Sequence, residues 1–305
     1  MKHKHLLKMR DLSQADITDI LDLADKLKRE RRQGVAHPLL AGKTLGMIFT
    51  KASTRTRVSF EAGMYQLGGH AMFLSGADLQ LGRGEPIKDT ARVLSRYVDG
   101  IMIRTFKQSD VEQLAEYGSI PVINGLTDYT HPCQALADLM TIRERKGRLD
   151  GLTLCYIGDG NNMANALIVG CLTAGMSVSV ACPDAYQPAA DVLEFAQGYA
   201  DAGKFRMTVD PVRAAEGADV MYTDVWTSMG QESENAARMK AFEGFCIDGR
   251  VMSAAKPDAM VQHCLPAHRG EEITDAVFEA HAGEIFDEAE NRLHAQKAVL
   301  VRLIA

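Results

Sequence analysis

Apolar positions along the chain follow two periods, and the period switches repeatedly from one to the other. Residues 13–32 put Ile17, Ile20, Leu21, Ala24 and Leu27 on one helical face, with Ser13 as a cap and Asp16 three residues on. Short apolar runs then read as buried strands at 44–49, 70–74, 100–103 and 121–124. Helical patterns follow them at 54–67, 88–98 and 110–117, and a further helix, capped by Thr130 or Asp128, is expected to run to about Lys146. Residues 147–151 are polar and bounded by glycine, and form the candidate domain boundary. Beyond it the alternation restarts, with strands at 152–157, 178–181, 205–209, 220–223 and 259–264, and helices at 162–174 and 188–202. A long helix over 288–303 closes the chain, with Ala289, Leu293, Ala298 and Val299 among its apolar positions. Repeated strand–helix alternation of this kind predicts an α/β fold of two domains, each a parallel sheet flanked by helices.

Composition narrows the class. A chain of 305 residues exceeds the usual single core, which agrees with two domains. A net charge of −6 without a basic tail argues against general binding to nucleic acid or a membrane surface, and leaves room for a local positive pocket. No apolar run approaches the ~20 residues that span a bilayer. The segment Met1-Lys2-His3-Lys4-His5-Leu6-Leu7 lacks a long apolar stretch and a small-residue cleavage site, so a secretory signal is not expected. The six cysteines (133, 155, 171, 182, 246, 264) are scattered without a CxxC pair, which predicts thiols in a reducing, cytoplasmic compartment.

The first candidate for chemistry is Ser53-Thr54-Arg55-Thr56-Arg57, placed where a strand turns into a helix. Free N–H groups at the helix start, two guanidinium forks and three hydroxyls suit a phosphate. A capped helix whose arginines form surface ion pairs explains the same residues, so this stretch alone does not decide. Its neighbours add weight, because open parallel sheets bind ligands at the carboxyl ends of strands. Arg104 ends a strand; His131-Pro132-Cys133-Gln134 follows the 121–124 strand and an Asn124-Gly125 turn; Asn161-Asn162, Asp224 and His263-Cys264-Leu265-Pro266 follow three others. Residues 75–86 form a Gly-rich polar loop long enough to suspect function.

Three other patterns fail. Ala41-Gly42-Lys43-Thr44 resembles a Walker A loop, but position 37 is His and the segment precedes a strand. Gly158-Asp159-Gly160 resembles a dinucleotide fingerprint, but Met163 stands at the third glycine position. Adjacent His263 and Cys264 have no matching pair elsewhere, so neither zinc nor any other metal is expected. A Cys–His thiol hydrolase leaves the arginine-rich phosphate end unexplained.

Taken in order, Ser53-Thr54-Arg55-Thr56-Arg57, His131-Pro132-x-Gln134, Asp224-Val225-Trp226-Thr227-Ser228-Met229-Gly230 and His263-Cys264-Leu265-Pro266 resemble the ornithine carbamoyltransferase family. The likeness runs nearly end to end and includes Asn124-Gly125-Leu126, 158–163 and Glu288-Ala289-Glu290-Asn291-Arg292. It implies transfer of the carbamoyl group of carbamoyl phosphate to the δ-amine of L-ornithine, giving L-citrulline and phosphate, without a cofactor. It also implies a carbamoyl-phosphate domain over 1–146, an ornithine domain over 147–287, and a final helix (288–305) that packs back on the first domain. Trimers, or assemblies of trimers, with sites at subunit interfaces are the expected partners.

Matched position by position, the resemblance assigns Ser53, Thr54, Arg55 and Thr56 to the phosphate, and Gln80 to a neighbouring subunit's site. It assigns Arg104 to phosphate and carbonyl oxygen, His131 and Gln134 to the carbamoyl end, and Arg292 to carbamoyl phosphate. Asn162, Asp224, Ser228 and Met229 match the ornithine contacts, and Cys264 and Leu265 lie against the reacting groups. Arg55, Arg104, His131, Gln134, Asp224 and Cys264 form the expected catalytic set. Many relatives carry Arg directly after the His-Cys-Leu-Pro run; here Ala267-His268-Arg269 follows, and Arg269 is left outside the set. Putrescine and N-acylornithine are the alternative acceptors, and the 224–230 loop favours free ornithine.

Overall fold

Residues 3–80, 84–228 and 230–305 are described by the computed structural model. They divide into two units, Met1–Met140 with Glu290–Ala305, and Thr141–Ala289. In chain order the first unit contains α1 (Gln14–Arg32), β1 (Thr44–Phe49), α2 (Thr54–Gln66), β2 (His70–Ser75), α3 (Ile87–Leu94), β3 (Gly100–Arg104), α4 (Gln108–Tyr117) and β4 (Val122–Leu126). Helix α5 (Pro132–Lys146) runs across the division. The second unit contains β5 (Thr153–Ile157), α6 (Asn162–Thr173), β6 (Ser177–Ala181), α7 (Ala190–Ala200), β7 (Phe205–Thr208), α8 (Pro211–Ala215) and β8 (Val220–Thr223). It continues with α9 (Asn235–Ala241), α10 (Gly249–Met252), β9 (Met260–His263), α11 (Asp275–Ala280) and the start of α12 (Ala282–Ile304), whose remainder belongs to the first unit.

Both sheets are parallel, as the alternation predicts. The first has the order β2-β1-β3-β4 and the second β7-β6-β5-β8-β9. In each, the chain steps outward to one edge and then returns past its starting strand. The order therefore reverses between β1 and β3 in one sheet, and between β5 and β8 in the other. At such a reversal the connections leave in opposite directions and open a crevice outside the carboxyl ends of the strands.

Local chemistry explains the elements that carry these ends. Ser13 and Asp16 close a reciprocal capping box on α1. Ser53 Oγ accepts from Thr56 N–H and starts α2 directly after β1. Asn161 does the same for α6, accepting from the N–H groups of Met163 and Ala164. Residues 163–172 of α6 are all buried, so this helix is apolar around its circumference. In the first unit Ile48, Ile101, Ile103 and Val122 of the sheet pack with Val111 and Leu114 of α4. In the second, Cys155, Ile157, Met221 and Val261 of the sheet join Trp226, Phe242 and Ile247.

Several boundaries differ from the sequence expectation. Helix α12 begins at Ala282, six residues before position 288, because Gly283 and Glu284 mask its first turn. Helix α3 stops at Leu94, where the Ser95 hydroxyl donates to the Ala91 carbonyl. Helix α5 starts at Pro132, so neither Thr130 nor Asp128 directly precedes it; proline itself suits a first turn. Asn124-Gly125 is not a turn but lies inside β4, at a register shift beside Ile103 and Arg104. A Cβ on Gly125 would stand 2.6 Å from Met102 Sδ and 3.1 Å from the Ile103 carbonyl oxygen, so the strands approach closely at the bulge. Helices α8 to α11 have seven residues or fewer, too short to show a helical period.

Candidate functional site

Four segments of the first unit converge on His131. Arg55 is in the first turn of α2, Arg104 ends β3 at the bulge, His131 precedes α5, and Arg292 is on α12. His131 is buried, and its basicity is held well below the ordinary histidine value. Desolvation is the main cause, followed by the charges of Arg292, Arg104 and Arg55. The imidazole is therefore neutral at physiological pH. Its Nδ1 is buried without a hydrogen-bond partner among the described residues. Three guanidiniums around one neutral ring form a place for a compact anion.

Arg292 is fixed by the residues around it. Its Nη1 donates to Gln134 Oε1 at 2.5 Å and its Nη2 to Thr56 Oγ1 at 3.3 Å. Gln134 in turn donates from Nε2 to the buried Asp138 carboxylate at 2.7 Å. Gln134, Thr56 and Arg292 thus meet in one buried network. Ser53 caps α2, while Thr54 and Arg55 are exposed at its start.

The two arginines of the 53–57 motif separate. Arg57 turns away from the cluster, donates to Glu61 and stacks over Phe73 at 3.9 Å. It lines a cavity of about 880 Å³ with Lys51, Ser53, Thr54, Phe73 and Phe106. Lys51 is buried there, paired with Asp128 and lying 4.4 Å over the Phe106 ring. No local pattern around Lys51 signals that Asp128, far along the chain, reaches it. Gln80 is exposed on the loop after β2.

The second unit assembles an acidic counterpart. Asp224 follows β8 and is nearly buried. Its Oδ1 accepts from the Val225 N–H at 2.8 Å and from the Cys264 thiol at 3.0 Å. Its Oδ2 accepts from Asn161 Nδ2 at 2.9 Å. Asn161 stands outside the residues that the resemblance assigns, which include the adjacent Asn162 at the start of α6. The cue was present: a capping Asn directly after a Gly-Asp-Gly strand exit. Gly160 is needed there, because a Cβ would stand 2.2 Å from the Gln187 and Pro188 backbone.

Two supports hold this cluster. The buried His263 backbone N–H donates to Glu288 at 2.8 Å. The His263 Nδ1 accepts from the Leu265 N–H at 2.9 Å, so Nε2 carries the proton and faces Glu272 at 3.0 Å. Leu265 sits at φ 59°, a strained conformation for a side chain branched beyond Cβ. The 224–228 segment is pinned by Arg238, whose Nη1 donates to the Trp226 carbonyl at 2.8 Å and to Asp159 at 2.9 Å. Burial pushes the Asp159 carboxyl up to about 6, against the pull of Arg238. Ser228 N–H donates to Gln231 at 3.2 Å. Met229 lies outside the described residues. Asp224, His263 and Cys264 have ligand-type atoms within 4.8 Å of one another, but the hydrogen bonds above already engage them.

Residues 4–144 match the aspartate/ornithine carbamoyltransferase carbamoyl-phosphate-binding domain, and residues 150–303 match the Asp/Orn-binding domain of the same family. An ornithine carbamoyltransferase of Carboxydothermus hydrogenoformans is 55% identical over 303 residues, covering 99% of this chain and 97% of that protein. The solved ornithine carbamoyltransferase of Pyrococcus furiosus is 53% identical with a TM-score of 0.93, covering 98% of this chain and 96% of the other. An anabolic ornithine carbamoyltransferase of Campylobacter jejuni is 44% identical with a TM-score of 0.92, over 99% of both chains.

Proposed function

The chain belongs to the aspartate/ornithine carbamoyltransferase family, and from that premise we infer its reaction and the part each residue plays. It transfers the carbamoyl group of carbamoyl phosphate to the δ-amino group of L-ornithine, giving L-citrulline and phosphate, a step of arginine metabolism. Putrescine and N-acylornithine are not favoured as acceptors, because relatives of full length at 50–55% identity are ornithine enzymes.

The observation that carries the assignment of roles is the trio of guanidiniums around neutral His131. Arg55, with Ser53, Thr54, Thr56 and the open start of α2, holds the phosphate dianion. Arg104 bridges the phosphate and the carbonyl oxygen, with His131 beside it. Gln134 and Arg292 hold the carbamoyl end. In the second unit Asn162, Asp224, Ser228 and Met229 bind the amino-acid end of ornithine, and Cys264 and Leu265 border the reacting groups. The amine lone pair forms the new C–N bond, and charge grows on the carbonyl oxygen. The bond between the carbamoyl carbon and the bridging phosphate oxygen then breaks, the phosphate leaving with its electron pair and taking the proton that the nitrogen releases. Preorganised donors at that oxygen lower the barrier without reorganising during reaction.

An alkylamine has a reference pKa near ~10.4, so the reactive neutral amine is scarce at neutral pH. The reading takes the basic form of ornithine as the one that reacts. It extends to three copies per assembly, with Gln80 supplied across an interface. Exposed Val58, Phe73 and Phe106 around the cavity support such a contact surface. It places the enzyme in the cytoplasm, since all six cysteines are free thiols and no helix of the described residues is long and apolar enough to cross a membrane.

One assay tests the reaction. Purified protein is given carbamoyl phosphate with ornithine, putrescine, N-acetylornithine or aspartate, and ureido product and phosphate are measured together. Ornithine is expected to yield both in equal amounts, at a rate that rises between about pH 6 and 9. No ureido product with ornithine overturns the reading.

A further inference from the structure

We propose that Gln296 is a positioning residue: it clamps the Arg292 guanidinium onto the first turn of α2 and so sets the affinity for carbamoyl phosphate. This rests on the role given above to Arg292. Gln296 is fully buried and lies one turn after Arg292 on α12. Its surroundings assign the amide orientation. With the amide nitrogen donating to Ser59 Oγ at 2.6 Å, its oxygen accepts from Arg292 Nε at 3.1 Å and Nη2 at 2.9 Å. The reverse orientation would set the amide nitrogen against the Arg292 N–H groups, donor facing donor.

The link continues into the phosphate-binding turn. Ser59 Oγ donates to the Arg55 carbonyl at 2.7 Å and lies 3.2 Å from the Thr56 carbonyl. One amide therefore joins the edge of Arg292 to the backbone of Arg55 and Thr56, and Arg292 reaches back to the Thr56 hydroxyl. Gln134 holds another nitrogen of the same guanidinium. A guanidinium is planar, so hydrogen bonds at two of its edges fix both position and plane. Without Gln296, Arg292 shares the surroundings of His131 with the charges of Arg55 and Arg104 under one restraint fewer. Neither Gln296 nor Ser59 needs to touch a substrate for this to matter.

The test is steady-state kinetics on Gln296→Met, a substitution of similar length without the amide. The KM for carbamoyl phosphate is expected to rise about tenfold, as for loss of a charge-assisted hydrogen-bond pair, with the KM for ornithine within about twofold of wild type. Ser59→Ala cuts the link at its other end, is less exposed to folding failure, and is expected to raise the same KM about threefold. In an Arg292→Ala background, Gln296→Met is expected to add nothing, because its effect passes through the arginine. A folded Gln296→Met or Ser59→Ala with wild-type carbamoyl-phosphate KM overturns the inference, and so does a full further loss in the Arg292→Ala background. If Arg292→Ala itself is silent, the role of Arg292 falls with it; if Arg292→Ala is damaging and Gln296→Met is not, only this inference falls.

Discussion

The two reversal points of the sheets solve opposite electrostatic problems. Between β1 and β3 the first unit gathers three cations around a neutral ring; after β8 the second unit surrounds one carboxylate with neutral donors. Like charges repel, so the first cluster needs outside restraint, and it draws residues from positions 55, 104, 131 and 292. A lone carboxylate needs only hydrogen bonds, and the second cluster finds them at strand exits close by: Asn161, Val225 and Cys264. The cationic cradle thus takes one of its charges from the last helix, while the hydrogen bonds to the Asp224 carboxylate all come from strand exits of its own sheet.

The strongest way to break this comparison is to remove one charge from each. Arg55→Ala is expected to lower kcat/KM for carbamoyl phosphate by ~100- to 1000-fold, the usual cost of a donor at a developing charge. Asp224→Ala is expected to cost ornithine use on a similar scale and leave carbamoyl-phosphate affinity near wild type. Equal effects of the two on carbamoyl-phosphate affinity, measured by initial rates, would contradict the division of labour.

A smaller effect sharpens the acidic side. Asn161→Ala removes both a donor to Asp224 and the cap of α6. It is expected to raise the ornithine KM about tenfold and to cost about 1 kcal/mol of stability in urea unfolding. A stability loss with unchanged ornithine KM would reduce Asn161 to a cap.

The smallest effect concerns how the last helix is held. Lys297 is buried, and its Nζ donates to His37 Nε2 at 2.6 Å and Gln66 Oε1 at 3.0 Å. Burial, helped by Arg31, pushes its ammonium down to about 8. The folded state then holds fewer protons than the unfolded state between about 8 and the ordinary lysine value, so stability contributed by this group rises with pH across that window. The stability of wild type relative to Lys297→Met is expected to rise from about pH 7.5 to 10 in denaturant titrations. A difference that stays flat or falls would show that Lys297 keeps its proton in the fold.

Legibility followed locality. Strand ends and helix caps are properties of a few adjacent residues, so Ser53, Asn161 and the strands around them could be read directly. Arg55 and Arg57 look alike in sequence, and only packing separates them, one toward His131 and the other over Phe73. Gln296 gave no signal at all, since a glutamine on an amphipathic helix ordinarily faces water; here it is fully buried beside a charge. The bulge that turns Arg104 was hidden because Asn124-Gly125 reads as a turn.

By itself, the order of apolar runs and polar strand exits determined two parallel α/β units and the capped, arginine-bearing helix start at Ser53–Arg57. Those follow from side-chain period and capping chemistry within a dozen residues. The tertiary structure decided which arginines share a site, which histidine is stripped of its charge, and which neutral side chains hold them. Such choices depend on burial and on charges from positions more than a hundred residues away, and no local pattern records them.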